Sequence, residues 1–580
     1  MNSMKKLFPY IKPYTIFAIV GPLLMCIEVA MDLLQPSLMQ RIIDEGIAHQ
    51  DNSYVIQLGL LMLLSAAIGL LGGAGSSIYA SKAAVHFSTD IRRDLFHKME
   101  RFSSQNTDTF GKGKLITIVT NDIAAIQQAL IMTLRVFVRG PLLFVGSVII
   151  VWVTARELFP ILLVAIPILI IFIYYFSKKS SALYSNVQKA MDKVNTKLQE
   201  TLSAIPLIKA FGREDYEKQQ FKQTNDSLTN HMLTAEQVVL KLMPMMMLVV
   251  NIGIIAGLWF GAIKVNEGTL QVGVILAFIN YLNIMMNGLM SSSNVLMQIA
   301  RAFPSAQRIH QVLETDIEIK EIEHPVPFKK IIGEVEFRDV NFSYSKNGEY
   351  VLKNISFTAK QGETIGIIGP TGSGKSTLVK LIPRLYDPDK GVVLIDGIDS
   401  KTYALKNLRD SIGFVTQKAT LFSGSIQENL QYGKENSTIQ EMEEAGQMAV
   451  ASEFIDRLEG GYSHSLLQGA TNLSGGQQQR LSMARAFIRK PSILILDDST
   501  SAIDALSEAK VQQALHQKFP STTVFIISSK ISSVKEADKI LVLEDGMLEA
   551  IGSHEELLVR SKVYQDIYQS QRAREASRNE

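Results

Sequence analysis

The sequence predicts a two-part chain, in which six membrane-spanning α-helices precede a soluble α/β domain. Long uncharged apolar runs are confined to roughly the first 300 of the 580 residues. From about Gly333 onward, short β-rich runs alternate with helical ones. One β-rich run leads into a glycine-rich loop, GETIGIIGPTGSGKST, in strand, loop, helix order. We therefore predict a transmembrane domain at 1–313, a linker at 314–332 and the soluble domain at 333–580.

Composition excludes several classes of function. A formal net charge of +2 leaves no basic surplus for wrapping nucleic acid, so we expect no nucleic-acid partner. The single cysteine, Cys26, cannot form an internal disulfide or a multi-cysteine metal site. The N-terminus has lysines but no compact apolar core with a cleavage site, so we do not interpret it as a signal peptide.

The six spans are predicted from their length, because crossing a bilayer takes about 20 mostly apolar residues. Lysines precede the first span and acidic residues dominate the loop after it, which places the N-terminus in the cytoplasm. An even number of spans then returns the soluble domain to the cytoplasm, as expected of a multi-pass membrane protein. The predicted spans are Ile16 to Leu34, Val55 to Ser81, Val136 to Ala155, Leu158 to Ser177, Leu242 to Ile263 and Gly268 to Ala300.

Two long cytoplasmic segments, Lys82 to Arg135 and Lys178 to Lys241, are predicted as antiparallel helix pairs. Helices of about 25 residues would reach roughly 35 Å beyond the lipid surface. We expect turns at their tips at Gly111 to Asp122 and at Ile208 to Glu217.

Polar residues inside the spans have two interpretations. A stripe on one face of the sixth span either bonds packed helices together or lines a substrate cavity. Glu28 and Asp32, one turn apart in the first span, favour a cavity and would suit a cationic substrate. The stripe consists of Asn280, Asn283, Asn287, Ser291 and Asn294.

The glycine-rich loop predicts a site for ATP and Mg²⁺. Its backbone N–H groups can surround phosphates, Lys375 can reach the terminal phosphates, and the Ser376 hydroxyl can bind Mg²⁺. Asp497 ends the apolar run ILILD, where a carboxylate can hold the Mg²⁺ shell. The predicted loop residues are Gly369, Pro370, Thr371, Gly372, Ser373, Gly374, Lys375, Ser376 and Thr377.

Between these two elements lies LSGGQQQR, whose serine and paired glycines suit a second phosphate-binding helix start. With this motif the chain resembles an ABC exporter half-transporter over nearly all of its length. The resemblance implies an ATPase domain with an antiparallel β subdomain and a helical subdomain. It also implies two ATPs held between two chains, each bound by one chain's P-loop and the other's signature Leu473, Ser474, Gly475, Gly476 and Gln477.

Further roles follow from the resemblance alone. Tyr344 is similar to the aromatic residue that stacks on adenine, and Gln417 to the glutamine that senses Mg²⁺ and contacts the membrane domain. Asp504, in the stretch SAID, matches the loop that touches the opposite nucleotide. The metal site would thus comprise Ser376, Gln417 and Asp497, and the tips of the long segments resemble coupling helices.

The chain departs from the family at both catalytic positions. Asp498 stands where a glutamate normally acts as base, and Ser529 stands where a histidine normally contacts the γ-phosphate. Aspartate is one methylene shorter, which withdraws its carboxylate by about 1.5 Å. Serine cannot carry the imidazole's charge. A third departure is LLQGATN, Leu466 to Asn472, in place of an E-R-G sequence, which puts contact with the opposite subunit's coupling helices in doubt.

The resemblance is to the degenerate subunit of heterodimeric bacterial multidrug exporters of the EfrC and LmrC type. It implies a chain that binds ATP but hydrolyses it poorly, paired with a different half-transporter that carries the glutamate and histidine. The cargo would be amphipathic drugs or other hydrophobic small molecules, in a bilayer of membrane lipids. A lipid or peptide exporter and an ATP-binding regulatory subunit are the alternatives.

Overall fold

The computed structural model describes residues 2–322, 324–327, 330–345 and 348–579, without side chains at 2, 3, 5, 293, 294, 296–298, 300, 301 and 574–579. The chain divides into two compact units. The first comprises Met1–Glu100 with Lys112–Thr315, and the second Arg101–Gly111 with Asp316–Glu580.

The first unit is helical, and six of its described helical segments are long and apolar enough to cross a membrane. This finding confirms the predicted number of spans. The candidate segments are Phe8–Ile47, Asn52–Glu100, Lys112–Thr154, Phe159–Ser203, Glu214–Asn266 and Val272–Ser292. The helices named below are α1 (Asn2–Leu7), α2 (Thr15–Arg41), α3 (Asn52–Glu100), α4 (Ser104–Phe110), α5 (Lys112–Thr117), α6 (Ile123–Leu134), α7 (Val136–Thr154), α8 (Phe159–Ser203), α9 (Ile205–Ala210), α10 (Glu214–Asn266) and α11 (Val272–Glu314).

The prediction for the first tip is wrong in position. The short helix at this tip is α4, whose N-cap Ser103 exchanges hydrogen bonds with Asn106 and which ends at Gly111 with φ 77°. The stretch from Gly111 to Asp122 instead begins the returning helix, through α5 and a π-helical turn at Ile118–Asp122. Its glycines and lysines resemble turn residues, but the capping serine decides where the helix begins. The second tip is α9, and α10 starts at Glu214.

The polar stripe of α11 is partly described. Asn280, Asn283 and Asn287 are exposed in the subunit, and the first two donate to the Leu276 and Ile279 carbonyls of their own helix. The side chain of Asn294 lies outside the described residues.

The described residues of the second unit form three β-sheets, the helix α4 and the helices that follow α11 along the chain. A four-stranded antiparallel sheet has the order β2-β1-β4-β5, and a two-stranded sheet pairs β7 with β8. A six-stranded sheet has the order β12-β11-β3-β10-β9-β6, in which only the β11 to β12 pairing is antiparallel. The strands are β1 (Val335–Phe342), β2 (Leu352–Ala359), β3 (Thr364–Ile368), β4 (Lys390–Ile395), β5 (Ile398–Asp399), β6 (Ile412–Val415), β7 (Gly424–Ser425), β8 (Ser465–Leu466), β9 (Ile493–Asp497), β10 (Thr523–Ile527), β11 (Lys539–Glu544) and β12 (Met547–Gly552).

The larger sheet gathers the candidate site. Strand β10 pairs with β3 and with β9 in parallel register, so that Ile527 stands opposite both Ile367 and Asp497. Parallel strands place their carboxyl ends at one edge, where α/β folds bind ligands. The helices of this unit are α12 (Lys375–Leu381), α13 (Leu405–Asp410), α14 (Ile426–Gln431), α15 (Ile439–Met448), α16 (Ser452–Ile455), α17 (Gly475–Phe487), α18 (Ala505–Lys518), α19 (His554–Arg560) and α20 (Lys562–Asn579).

Candidate nucleotide-binding site

The glycine-rich loop connects β3 to α12 and has a conformation that side chains would obstruct. Gly369, Gly372 and Gly374 have φ of 154°, 87° and 96°. A Cβ at Gly369 would lie 2.1 Å from the Leu543 carbonyl oxygen, so backbone packing also requires glycine there. The Lys375 Nζ folds back over the loop and donates to the carbonyls of Gly369, at 2.8 Å, and Pro370, at 2.7 Å. The ammonium is therefore held against the backbone that would surround phosphates.

The two predicted Mg²⁺ ligands from different elements meet. The Ser376 hydroxyl donates to Asp497 Oδ1 at 2.6 Å, and Asp497 is buried at the end of β9. One hydroxyl and one carboxylate oxygen are hard donors of the kind Mg²⁺ takes from nucleotide-binding proteins, where phosphates and water supply the other ligands. The residues present therefore fit the metal, which would neutralise phosphate charge when bound.

Burial shifts the pKa values of Asp497 and Lys375. Desolvation raises the pKa of Asp497, against the hydrogen bond from Ser376 and the nearby lysines. Desolvation lowers the pKa of Lys375, against the charges of Asp498 and Asp497. Both charged groups are thus placed where water solvates them poorly, and ligands of opposite charge gain from binding them.

Asp498 is held less tightly than Asp497. Its backbone has φ 46°, a conformation that aspartate tolerates better than most residues, and its N–H donates to the Ile527 carbonyl at 2.9 Å. Its Oδ2 accepts from Gln417 Nε2 at 3.4 Å, the long end of the hydrogen-bond range. Its buried Oδ1 has no hydrogen-bond partner among the described residues. The Asp498 backbone is therefore held by a hydrogen bond, whereas its carboxylate accepts only one long hydrogen bond from the described residues.

Ser529 is exposed and lies two residues after the end of β10. Its backbone is hydrogen-bonded to the C-terminal helix α20. Gln571 of α20 donates from Nε2 to the Ser529 carbonyl at 2.7 Å and accepts from the Ile531 N–H at 2.9 Å. Sequence analysis missed Gln571, because nothing in the α20 sequence indicates what its side chains contact.

The signature motif begins α17. Ser474 is the N-cap: its Oγ accepts from the Gln477 N–H, and its own N–H donates to Gln477 Oε1. The first two residues of the helix are Gly475 and Gly476. A Cβ at Gly476 would lie 3.0 Å from the Ala502 carbonyl oxygen, so the motif packs against the loop before α18. Asp504 caps α18 through two bonds to Ser507, which lower the pKa of Asp504.

Tyr344 lies beside the glycine-rich loop, and its predicted role in adenine stacking stays a prediction. Its hydroxyl is 2.9 Å from the Thr377 hydroxyl, and the residue is 39% exposed. The ring meets Tyr386 edge to face with centroids 5.2 Å apart. Tyr386 in turn donates to Asp108 of α4 at 2.7 Å, and burial and this bond raise the pKa of Tyr386. The two tyrosines thus connect Thr377, at the start of α12, to Asp108 of α4.

Some predicted site residues meet and others do not. Contacts join Ser376 to Asp497, Gln417 to Asp498 and Tyr344 to Thr377. Among the hydrogen bonds of the described residues, none links the signature residues 473–477 to the phosphate loop 369–377. The segment Leu466 to Asn472 is closed on itself, because the Asn472 side chain bonds the Leu467 N–H and the Ser465 carbonyl.

Comparisons with known proteins identify the family of the chain. Residues 18–289 match the ABC transporter transmembrane region, and residues 352–501 match the ABC transporter family. The chain is 42% identical to the uncharacterized ABC transporter ATP-binding protein YfiB of Bacillus subtilis, over 99% of this chain and 100% of that protein. It is 32% identical to the ATP-dependent lipid A-core flippase of Chromohalobacter salexigens, over 98% and 97%.

The fold is also similar to that of a solved structure. A bacterial Atm1-family ABC exporter with ATP bound superposes with a TM-score of 0.78, over 97% of this chain and 98% of that one, at 23% identity. The order of six spans followed by the sheet-containing unit is therefore shared with this exporter.

Proposed function

The chain belongs to the ABC transporter family, as an ATP-driven exporter with a fused membrane region, and on that premise we propose that it is the poorly hydrolysing subunit of a heterodimer. Its own phosphate loop would hold ATP with Mg²⁺ for a long time. Its signature Ser474 would complete an active site on a different subunit that carries the glutamate and histidine. Hydrolysis at that second site would drive the cycle in the cell membrane, with the N-terminus and the ATPase domain cytoplasmic.

The observation that carries the proposal is the state of Asp498. A general base must lie within hydrogen-bonding reach of the water it activates. Aspartate is about 1.5 Å shorter than the usual glutamate, and the bond from the Asp498 N–H to Ile527 fixes its backbone. The backbone therefore cannot advance to restore the reach. Ser529, with its carbonyl held by Gln571, offers no imidazole in compensation.

Exposed apolar residues at the second tip also support a second subunit. The tip helix α9 has no buried residue; its Leu207 is 59% exposed, and Phe211, which follows the helix, is 72% exposed. Exposed apolar clusters at the end of a long helix pair are typical of a protein interface. A partner subunit would cover this tip and supply the signature motif for this chain's phosphate loop.

For the cargo, we propose amphipathic drugs or other hydrophobic compounds. A lipid is the second candidate, because one relative of similar length is named a lipid A-core flippase. Uphill transport of a drug by the reconstituted pair would favour the first, and flipping of labelled lipid the second. A regulatory subunit would instead give nucleotide-dependent passive flux without turnover.

The deciding experiment compares Lys375→Ala with Ser474→Ala in the purified heterodimer. The partner would be the half-transporter encoded beside this chain, provided that it has the glutamate and histidine. Ser553→Ala is the matched control, because Ser553 caps α19 with the same capping box and lies outside the nucleotide site. Each serine change removes a cap worth about 1 kcal/mol, so any difference between them reflects the signature.

We expect Ser474→Ala to abolish most ATP turnover, Lys375→Ala to remove less, and Ser553→Ala to leave turnover near that of the unaltered pair. If Ser474→Ala matches Ser553→Ala, the asymmetric model is wrong. Brisk hydrolysis by this chain purified alone would also contradict it.

A further inference from the structure

The membrane unit contains a cavity of about 680 Å³ that the nucleotide site does not explain. Its wall includes Glu28 and Asp32 of α2, Arg139 of α7 and Arg135 between α6 and α7. All four charged residues belong to the first unit of one chain. Charged side chains within membrane-spanning segments are costly and usually mark a substrate path.

The two acids are already paired. Arg139 Nη2 lies 2.9 Å from Asp32 Oδ2 and 3.3 Å from Glu28 Oε1. Gly73 of α3 makes room for this cluster, because a Cβ there would be 2.7 Å from Glu28 Oε2. A purely cationic ligand would have to compete with Arg139 for both carboxylates. The expectation that Glu28 and Asp32 alone suit a cationic substrate therefore needs revision.

Arg135 differs from Arg139. It stands at the break between α6 and α7, with φ −108° and ψ −73°, and its buried Nε has no hydrogen-bond partner among the described residues. A guanidinium offers five donors, and leaving the buried Nε–H without a partner is unfavourable. An anionic group in the cavity would meet them with strong charge-assisted bonds.

The charges of the cavity wall favour a ligand that has a cationic group as well as an anionic one. Glu28, Asp32 and Arg139 together carry one net negative charge, and Arg135 carries one positive charge. A ligand with one anionic and one cationic group keeps this balance, whereas an ion of either sign upsets it. We propose that the cavity binds the polar end of a zwitterionic amphiphile, with its anionic group on Arg135 and its cationic group toward Glu28 and Asp32. This inference rests on the proposed function, because it narrows the class of cargo.

The test measures binding to the purified full chain without nucleotide or partner, so its failure is separate from failure of the heterodimer model. The probes share an eight-carbon chain and differ in the head: octylphosphocholine, octyl phosphate and octyltrimethylammonium. Arg135→Gln removes the proposed anion partner, and Arg135→Lys retains its charge. Lys82→Gln is the control, because it removes a charge from exposed Lys82 on α3 outside the cavity wall. An unchanged thermal unfolding midpoint and an unchanged gel-filtration profile show that the membrane unit of each variant is folded.

We expect octylphosphocholine to bind tightest, and Arg135→Gln to weaken it and octyl phosphate by about 10-fold, the loss of one charged hydrogen bond. Arg135→Lys should weaken binding less than Arg135→Gln, because it retains the charge but not the guanidinium donors. Lys82→Gln should change these affinities by less than about threefold. The proposal is overturned if octyltrimethylammonium binds as tightly as octylphosphocholine, or if Arg135→Gln has no more effect than Lys82→Gln. Competition by phosphatidylethanolamine in nanodiscs would identify a lipid headgroup as the occupant, and its absence a soluble amphiphile.

Discussion

The two halves of the nucleotide site differ in how firmly their side chains are held. In the phosphate-binding half, Ser376 and Asp497 are joined at 2.6 Å and the Lys375 ammonium is fixed by two carbonyls. In the cleaving half, Asp498 has one contact at 3.4 Å and a buried oxygen without a described partner. Ser529 contributes an exposed hydroxyl in place of an imidazole.

Under the proposed function, this difference would separate ATP binding from ATP cleavage. The predicted binding half consists of residues within one β-strand-to-helix loop and one strand end. The predicted cleaving half would depend on side-chain length at Asp498 and Ser529. The following four changes test that division, from the largest expected effect to the smallest.

The largest effect should come from restoring the cleaving half. We expect Asp498→Glu with Ser529→His to raise phosphate release by the purified chain by about 10²- to 10⁴-fold, the usual contribution of a positioned base. Asp498→Asn, which keeps the length and removes the charge, is the control and should not raise the rate. If the double variant hydrolyses no faster than the unaltered chain, side-chain reach is not what limits this site.

Removing the phosphate-binding lysine should weaken binding rather than cleavage. We expect Lys375→Ala to reduce ATP affinity by about 10- to 100-fold, because one or two charge-assisted bonds are lost. Calorimetric titration would measure it. Lys390→Ala, at an exposed lysine that begins β4, should leave affinity unchanged. Equal loss in both variants would mean that general charge, not loop geometry, attracts the nucleotide.

Removal of Mg²⁺ tests whether Asp497 helps to bind the metal. We expect chelation of Mg²⁺ to reduce ATP affinity of the unaltered chain by about 10-fold, equivalent to about 1.4 kcal/mol. In Asp497→Asn the same chelation should have little effect, because the carboxylate that faces Ser376 is gone. Asp538→Asn is the control, since Asp538 bonds the N–H of Thr364 at the opposite end of β3. An unchanged metal effect in Asp497→Asn would contradict the assignment.

The smallest effect should come from the clamp on the Ser529 loop. We expect Gln571→Ala to speed hydrogen exchange of the Ile531 amide by about fivefold, because that amide donates to Gln571 Oε1 and such a bond contributes about 1 kcal/mol. Gln565→Ala, on the same helix but bonded to the Leu558 carbonyl, should not change it. Equal exchange in the two variants would show that Gln571 does not hold the loop.

Sequence alone predicts the parts whose chemistry is local. The phosphate loop and the ends of β3 and β9 follow from glycine spacing and apolar runs within a few residues. The contacts that support them do not, since Tyr386 and Asp108 are 278 positions apart and Gln571 and Ser529 are 42 apart. The predicted turn at the first tip begins at Gly111, because glycine is typical of turns. The structure instead places the short helix α4 before Gly111, where the capping hydrogen bonds of Ser103 set its start. Pairing of Asp32 with Arg139 was likewise invisible in the sequence.

The bare tip formed by α9 also bears on how the cell handles this subunit before assembly. Under the proposed function, Leu207 and Phe211 would stay exposed to water until the partner subunit binds, and chaperones and quality-control proteases recognise exposed apolar surface of this kind. A subunit synthesised in excess of its partner would then remain unassembled and be degraded. The supply of one half-transporter would set the abundance of the other, without any dedicated regulator.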